Sequence, residues 1–279
     1  MKTAKVMIFN KTEGLFFHLV NKWNEIGSCA CQSRGLFNAA VSGGKSPRPF
    51  FTQLSQNKEI NFWDKTHIFM VDERFISPFH KDSNQRMVRE RLIKKINIPL
   101  KNFHSVSIRN TVFQSAREYE QELKYSFKLR KEELPVFDLI LLGIGKDGHT
   151  ASLFPYNRNL ADMKNLITTE SVPHLNYQRI SFTLAVINHS RNVIFLGTGK
   201  EKASIVFQIL VKKNKKLPAA WVQPEKGILY FFLDKSAASS LTLNKNFVIS
   251  QINIVKGGEN YTRSQWISSH NTKSGSDIY

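Results

Sequence analysis

The chain has 279 residues, 41% hydrophobic and 22% charged, a composition that fits one large globular domain or two small ones. Its apolar runs fall well short of the ~20 residues of a membrane helix and no signal-peptide pattern follows Met1, so a cytoplasmic protein without a membrane segment is expected. The net charge of +18 is compatible with nucleic-acid binding, an acidic membrane surface or an anionic substrate, but no zinc-finger, RNA-binding or basic-heptad pattern accompanies it, so specific nucleic-acid binding is not expected.

Apolar runs alternate with helix-like segments, which predicts an α/β fold with a mostly parallel central sheet and helices on both faces. The predicted strands are Lys5–Phe9, Phe37–Val41, His67–Val71, Phe137–Leu142, Asn192–Leu196, Ala219–Val222 and Ile228–Leu233. The predicted helices are Gly14–Ile26, Pro47–Ser55, Ser83–Leu92, Thr111–Leu129, Lys200–Leu210 and Ser236–Leu241. We expect one domain over residues 1–256 and a polar tail over residues 257–279, whose composition is typical of disorder.

The first polar segment, residues 42–47, directly follows the second predicted strand. Gly43 and Gly44 allow close approach of the backbone, Ser46 is a candidate N-cap, and Pro47 suits the first helical position. Free N–H groups beside Lys45 would bind a phosphate or a developing oxyanion. An ordinary strand–helix turn explains the same residues equally well, and the spacing does not match a nucleotide-binding P-loop.

The second polar segment is Asp72-Glu73-Arg74, at the end of the third predicted strand. Arg74 is suited to clamp a phosphate or a carboxylate-like transition state, and Asp72 is a candidate substrate ligand. The alternative is a structural ion pair that ties this loop to the next helix. That alternative can hold for Glu73 even if Arg74 is functional.

The third polar segment, residues 143–155, follows the strand Phe137–Leu142 and contains a histidine between glycine-rich turns. Asp147 precedes His149 by two residues, so it can orient the imidazole and stabilise its protonated form. A structural or solvent-exposed histidine is the alternative. The strand-end position favours His149 as a general base, because ligands of open α/β sheets bind at the carboxyl ends of strands.

Two more basic residues complete the candidate site. Arg179 precedes an apolar run, and Lys202 follows the weak glycine signal Gly197-Thr198-Gly199. The two cysteines are one residue apart and no second Cys/His cluster exists, so the sequence predicts no zinc site.

At these positions the sequence resembles the 6-phosphogluconolactonase family, which is related in fold to the glucosamine-6-phosphate deaminases. The matching stretches are Ser42-Gly43-Gly44, Asp72-Glu73-Arg74, Ser83-Asn84, Asp147 through Pro155, Arg179-Ile180, Thr198-Gly199, Lys202-Ala203 and Leu217-Pro218-Ala219-Ala220. The resemblance implies a Rossmann-like three-layer fold of the NagB/RpiA/CoA transferase-like type, without metal or cofactor. It also implies that His149 activates water, that Arg74 and Arg179 bind substrate or phosphate, and that Lys202 contacts the phosphate. Family members often have Ser-Thr-Pro after the two glycines, whereas this chain has Lys45-Ser46-Pro47.

These residues lead to one expected reaction, hydrolysis of 6-phospho-D-glucono-1,5-lactone in the oxidative pentose phosphate pathway by a monomer or small homo-oligomer. Backbone N–H groups near Gly43 and Gly44, or Arg74, would stabilise the oxyanion. A glucosamine-6-phosphate deaminase is less favoured, because Phe154 replaces its acidic residue five positions after the histidine and Arg74 replaces its usual tyrosine. A non-catalytic sugar-phosphate or nucleic-acid-binding protein is the third alternative, and the high positive charge is its main support.

Overall fold

The structure is a computed structural model that describes residues 4–155, 160, 164–171, 176–243, 253–256 and 259–260. Its main sheet contains β1 (Lys5–Phe9), β2 (Phe37–Val41), β3 (Thr66–Met70), β5 (Phe103–His104), β6 (Leu139–Gly143), β9 (Asn192–Gly197), β10 (Ile228–Asp234), β11 (Asn253–Lys256) and β12 (Glu259–Asn260). A smaller antiparallel sheet contains β4 (Asp72–Arg74), β7 (Ile167–Glu170) and β8 (Arg179–Phe182). The helices are α1 (Thr12–Arg34), α2 (Arg48–Gln56), α3 (Asn84–Arg91), α4 (Val112–Ser126), α5 (Leu184–Asn188), α6 (Ala203–Leu210) and α7 (Ser239–Leu243).

The strand order of the main sheet is β12-β11-β1-β10-β9-β6-β2-β3-β5. Every pairing described in it is parallel except that of β11 with β12, which confirms the predicted mostly parallel sheet. From β2 the chain proceeds to β3 and β5 on one side, whereas from β6 it proceeds to β9 and β10 on the other. The switch point therefore lies between the neighbouring strands β2 and β6, where the loops after both strands leave in opposite directions.

The predicted strand at Ala219–Val222 is wrong, because Pro218–Trp221 forms a 3-10 helix. Pro218 has no N–H to donate, and the N–H of Ala219 bonds to the carbonyl of Gly148 at 3.1 Å instead of to a neighbouring strand. This segment therefore supports the loop that carries His149. The small sheet was not predicted either, because its strands are only three or four residues long and one of them consists of the charged residues Asp72–Arg74.

Helix α1 extends past the predicted end at Ile26 because Gly27 does not stop it. Gly27 instead admits the ring of Phe62, which a Cβ at this position would overlap. The helix ends at Gly35, whose φ of 80° and N–H bond to the carbonyl of Cys31 form a glycine C-cap. Its buried Trp23 packs edge-on against Phe37, and this contact fixes α1 on the sheet.

Two further findings concern the predicted tail and the predicted absence of a membrane segment. Glu259–Asn260, inside the predicted tail, pairs with β11, and the remainder of residues 257–279 lies outside the described residues. None of the helices in the described part of the chain has the length and apolarity needed to cross a membrane.

A short chain of titratable groups lies at the β3–β5 edge of the main sheet. His67 Nδ1 and His104 Nε2 are 2.9 Å apart, and His104 Nδ1 is 2.6 Å from Glu122 Oε1. Burial, then the charges of His104 and Lys101, lower the pKa of His67 to about 4. Burial also lowers the pKa of His104, against the opposing effect of Glu122. The folded protein therefore favours a neutral His67 down to much lower pH than the unfolded chain does.

The free energy of unfolding should consequently fall as the pH is lowered from about 6.5 to 4. In this range His67 is protonated in the unfolded state but stays neutral in the folded state. In the variant His67→Gln the free energy of unfolding should fall by about 1–2 kcal/mol less over this pH range than in wild type. This figure allows for solvent screening of the partly exposed His67–His104 pair. Urea unfolding at pH 7 and at pH 4.5 measures the difference. An unchanged pH dependence in the variant would show that His67 does not cause it.

Candidate active site

The loops at the switch point enclose a cavity of about 460 Å³. All of the candidate site residues predicted from the sequence line this cavity except Arg179, which is not part of its wall. The wall is formed by Ser42, Gly43, Gly44, Lys45, Ser46, Pro47, Asp72, Arg74, Asn84, Gly143, Ile144, Gly145, Lys146, Asp147, His149, Ala151, Phe154 and Lys202. Residues from five separate parts of the sequence thus face one solvent-filled space of the size that ligand sites have.

The loop after β2 presents its backbone to the cavity. Gly44 has φ +96°, a conformation that favours glycine, and Gly43 lies so close to the side chain of Asn84 that a Cβ there would overlap it. Within the described part of the chain, the N–H groups of residues 43–46 donate no hydrogen bond. Ser46 is not the N-cap that the sequence predicted. Helix α2 begins at Arg48, its N-cap is Pro47, and no side chain accepts a capping hydrogen bond there. Free N–H groups at this helix start can bind an anion.

The loop after β6 fixes His149 through its own backbone. Gly145 donates from its N–H to the carbonyl of His149 at 2.8 Å, and Gly148 donates to the carbonyl of Gly145 at 3.1 Å. Gly148 has φ +84°, which explains a glycine at this turn. The resulting tight loop brings the side chains of Asp147 and His149 together.

Asp147 and His149 form the hydrogen-bonded pair that their spacing predicts. Asp147 Oδ1 lies 2.6 Å from His149 Nδ1, which leaves Nε2 with no partner among the described residues. Partial burial opposes ionisation of Asp147, but the hydrogen bond and charge of His149 outweigh it and lower the pKa of Asp147 to about 2. An ionised carboxylate on Nδ1 fixes the tautomer that carries its proton there, so Nε2 is free to accept a proton.

Strand β4 separates the roles of its three charged residues. Asp72 faces the cavity and accepts a hydrogen bond from Ser152 Oγ at 2.7 Å. The side chain of Glu73 is fully buried and accepts bonds from the N–H groups of Asn84 and Gln85 at the start of α3. Burial raises the pKa of Glu73, and these bonds oppose that rise. Glu73 therefore ties β4 to the next helix, which was the structural alternative in the sequence analysis. The contact uses backbone N–H groups of α3 and not an ion pair.

Arg74 and Arg179 are direct partners in the antiparallel β4–β8 pair. Each guanidinium donates from Nη1 to backbone carbonyls, that of Arg74 to Asp82 and that of Arg179 to Tyr177. Their Nε and Nη2 atoms donate to none of the residues that the structure describes. Burial, then the neighbouring charge of Arg74, lower the pKa of Arg179. Like charges directly opposite each other on paired strands are unfavourable, and the charges of Asp72 and Glu73 oppose this effect on the pKa of Arg179.

Lys202 reaches the cavity from the turn after β9. Gly199 has φ +92° and its N–H donates to Asp234 Oδ2 at 2.9 Å, which ties this turn to the end of β10. Burial lowers the pKa of Lys202, the charge of Glu201 opposes this, and the charge of Lys146 adds to it. Lys202 and Lys146 are thus close enough to act on the same bound anion.

Four functional or supporting residues were not assigned a role from the sequence. Lys146 lines the cavity, Asn84 contacts Gly43, Ser152 bonds to Asp72, and Asp234 holds the turn of Lys202. Lys146 had a usable signal in its position inside the glycine-rich loop, and Asn84 and Ser152 lie in stretches that match the family, whereas Asp234 had no such signal. No group of three or more His, Cys, Asp or Glu side chains in the described residues is arranged to bind a metal ion.

Comparisons with known proteins agree with this arrangement. A family model described as glucosamine-6-phosphate isomerases/6-phosphogluconolactonase matches residues 10–231. A 6-phosphogluconolactonase of Nostoc sp. is 37% identical, covering 77% of this chain and 88% of the relative. A probable 6-phosphogluconolactonase 2 of Oryza sativa subsp. japonica is 34% identical, covering 90% and 94%. The solved 6-phosphogluconolactonase of Trypanosoma brucei is 26% identical, with a TM-score of 0.78 over 86% of this chain and 100% of that one.

Proposed function

The chain belongs to the glucosamine-6-phosphate isomerase/6-phosphogluconolactonase family, and from this premise we propose that it is a hydrolase that opens 6-phospho-D-glucono-1,5-lactone to 6-phosphogluconate. The names of its relatives support this reaction, and its place in the oxidative pentose phosphate pathway is part of the proposal. The single observation that carries the proposal is the Asp147–His149 pair in a cavity rich in cations.

The charge of the cavity wall matches a phosphate monoester. Its side chains include four cations, Lys45, Arg74, Lys146 and Lys202, against the two carboxylates Asp72 and Asp147. With His149 neutral the wall therefore has a net charge of +2, which balances a dianionic phosphate. A small anionic sugar phosphate is accordingly the proposed ligand. The proposed hydrolysis of its lactone ester requires no cofactor.

His149 is the proposed general base. Its Nε2 takes a proton from water while the water oxygen bonds to the lactone carbonyl carbon, and the carbonyl π electrons move to oxygen. Asp147 holds the imidazole through Nδ1 and stabilises the imidazolium. When the tetrahedral intermediate collapses, the bond from the carbonyl carbon to the ring oxygen breaks and the imidazolium protonates that oxygen. The neutral base is restored and the product carboxylic acid loses its proton to water.

The free N–H groups of residues 43–46 are the proposed oxyanion site. They lie at the start of α2, where the helix dipole also favours negative charge, and they donate to none of the described residues. Backbone donors are fixed by the fold, so little reorganisation is required when charge develops on the carbonyl oxygen.

The Nε–Nη2 edge of Arg74, in the cavity wall, is the first proposed phosphate ligand, and that of Arg179, its cross-strand partner outside the wall, is the second. Both edges lack partners among the described residues, and such an edge can donate two parallel hydrogen bonds to a phosphate. Lys202 adds a third positive charge from the turn after β9. Binding the phosphate at a distance from the reacting carbonyl would orient the lactone against His149.

The deaminase alternative is disfavoured by Phe154. In the deaminases an acidic residue is expected five positions after the histidine, but here Phe154 packs against the imidazole of His149 with ring centroids 4.7 Å apart. An apolar ring at this place supplies no acid for ring opening of an amino sugar. The same contact restricts the orientation of the imidazole.

We also propose that residues 1–256 act as one domain in the cytoplasm, as a monomer or small homo-oligomer, with residues 257–279 outside the catalytic unit. Strand β11 extends the main sheet beside β1, and Glu259–Asn260 pairs with β11, so the main sheet includes the first residues of the proposed tail.

A direct comparison of substrates tests the proposed function. The purified protein is given freshly generated 6-phosphogluconolactone or glucosamine 6-phosphate, and ring opening and ammonia release are followed separately. We expect lactone hydrolysis above the spontaneous rate and no ammonia. Ammonia release without faster lactone opening would assign the chain to the deaminases.

A further inference from the structure

Asn84 contacts three of the proposed site residues at once. Its side-chain Nδ2 donates to the carbonyl of Asp72 at 3.0 Å, and its Oδ1 accepts a hydrogen bond from Nη1 of Arg74. The same Oδ1 lies against Gly43, where a Cβ would overlap it. The side chain is almost fully buried although it reaches the cavity wall. Asn84 is therefore the one described side chain that joins the loop after β2 to both charged ends of β4.

The position of Asn84 is itself fixed by Glu73. The carboxylate of Glu73 accepts bonds from the N–H groups of Arg74, Asn84 and Gln85 at 2.7–2.8 Å and from Ser83 Oγ at 3.0 Å. It thus satisfies the first N–H groups of α3, which otherwise lack partners, with a negative charge at the favourable end of the helix dipole. The start of α3 cannot shift relative to β4 without breaking these bonds.

The orientation of Arg74 follows from these contacts. Its Nη1 is occupied by Asn84 Oδ1 and by the carbonyl of Asp82, at 2.9 Å, so the guanidinium plane has one fixed edge. The remaining Nε–Nη2 edge is then the only one available for a bidentate contact. Without Asn84 the long side chain would lose one of two anchors and would populate several rotamers, with an entropic cost when it binds an anion.

We propose that Asn84, held by Glu73, is a positioning residue that makes the site selective for phosphorylated lactones by fixing the guanidinium of Arg74. The inference rests on the proposed function and adds to it the residue that sets the preference for a phosphate. Asn84 needs no contact with the reacting carbonyl for this role. Its loss should therefore affect recognition of the phosphate and not the chemical step at His149.

Asn84→Ala tests the proposal with two substrates. For 6-phosphogluconolactone, kcat/KM should fall about tenfold or more, mainly through a higher KM, because a group that only binds has been loosened. For unphosphorylated glucono-1,5-lactone, kcat/KM should change less than about threefold, since this substrate has no phosphate to contact Arg74. In the Arg74→Ala background, Asn84→Ala should have almost no further effect, because the two residues act together.

Thr111→Ala is the matched control. Thr111 Oγ1 accepts the N–H of Gln114 and caps α4, and this residue is not part of the cavity wall and has no described bond to Glu73, Asn84 or Arg74. The variant should lower Tm and leave the preference for the phosphorylated lactone unchanged. If Asn84→Ala instead lowers both activities in parallel, or leaves the preference intact, the positioning role is wrong.

Calorimetric binding of 6-phosphogluconate separates this inference from the proposed function, since it requires no turnover. We expect the Kd of Asn84→Ala to rise about tenfold relative to wild type and to Thr111→Ala. If wild type binds 6-phosphogluconate and Asn84→Ala does not, the inference stands even where lactonase activity is absent. If all three proteins bind equally well, the inference fails even where lactonase activity is present.

Discussion

His149→Ala is expected to lower kcat/KM for 6-phosphogluconolactone by about 10²–10⁴-fold, the range for loss of a positioned general base. The imidazole is held by Asp147 at 2.6 Å and packs against the ring of Phe154, and these two contacts fix the orientation of Nε2. The variant should bind 6-phosphogluconate with nearly wild-type affinity, because the proposed phosphate ligands are unchanged. Progress curves corrected for spontaneous hydrolysis measure the rate, and calorimetry measures binding.

His189→Ala provides the control for loss of an imidazole elsewhere. His189 lies at the end of α5 and takes no part in the cavity wall, so wild-type hydrolysis is expected. If His149→Ala keeps more than about a tenth of the wild-type rate enhancement, His149 is not the general base, and only the substrate assignment would remain. A matching loss in both variants would indicate a general effect on folding.

Gly145→Ala should be nearly as damaging, although it removes no functional group. A Cβ at this position would overlap Nδ1 of His149 and approach Asp147 Oδ1, so the catalytic pair must move. A displacement of about 1 Å can lower the rate by ~10²-fold, and we expect a loss of at least that size. The loss should appear in kcat, and the Kd for 6-phosphogluconate should change little.

Gly14→Ala makes the same chemical change where there is space for it. A Cβ at Gly14, in α1, has no atom within 4 Å, so activity should be unchanged and stability equal or slightly higher. Normal hydrolysis by Gly145→Ala would contradict the described contact between Gly145 and the imidazole. A fall in Tm of Gly145→Ala without loss of kcat would place the effect on folding alone.

The location of the site could be predicted because it depends on strand ends. Continuous apolar runs mark buried parallel strands, and the polar, glycine-bearing segments that follow them converge at one edge of an open sheet. The Asp147–His149 contact was also predictable, since two residues in one tight loop must lie close together. Local spacing sufficed for both.

The supports of the site could not be predicted, because they join distant parts of the chain through short, polar elements. Ser152 bonds to Asp72 across 80 positions, and the apolar run after Arg179 does not reveal that β8 pairs with the charged strand β4 and places Arg179 opposite Arg74. The segment Ala219–Val222 has the composition of a strand, but tertiary contact with Gly148 makes it a 3-10 helix. The secondary-structure propensity of a segment carries no information on its contacts with residues that are distant in the sequence.

The most direct test of the central claim is the rate at which freshly generated 6-phosphogluconolactone becomes 6-phosphogluconate with the wild-type chain present. A coupled 6-phosphogluconate dehydrogenase reports the product, and buffer without the protein gives the spontaneous rate. We predict a first-order increase in rate with protein concentration, saturable in substrate. A rate equal to that of buffer, from protein shown to be folded, would contradict the assignment of this cavity as a lactonase site.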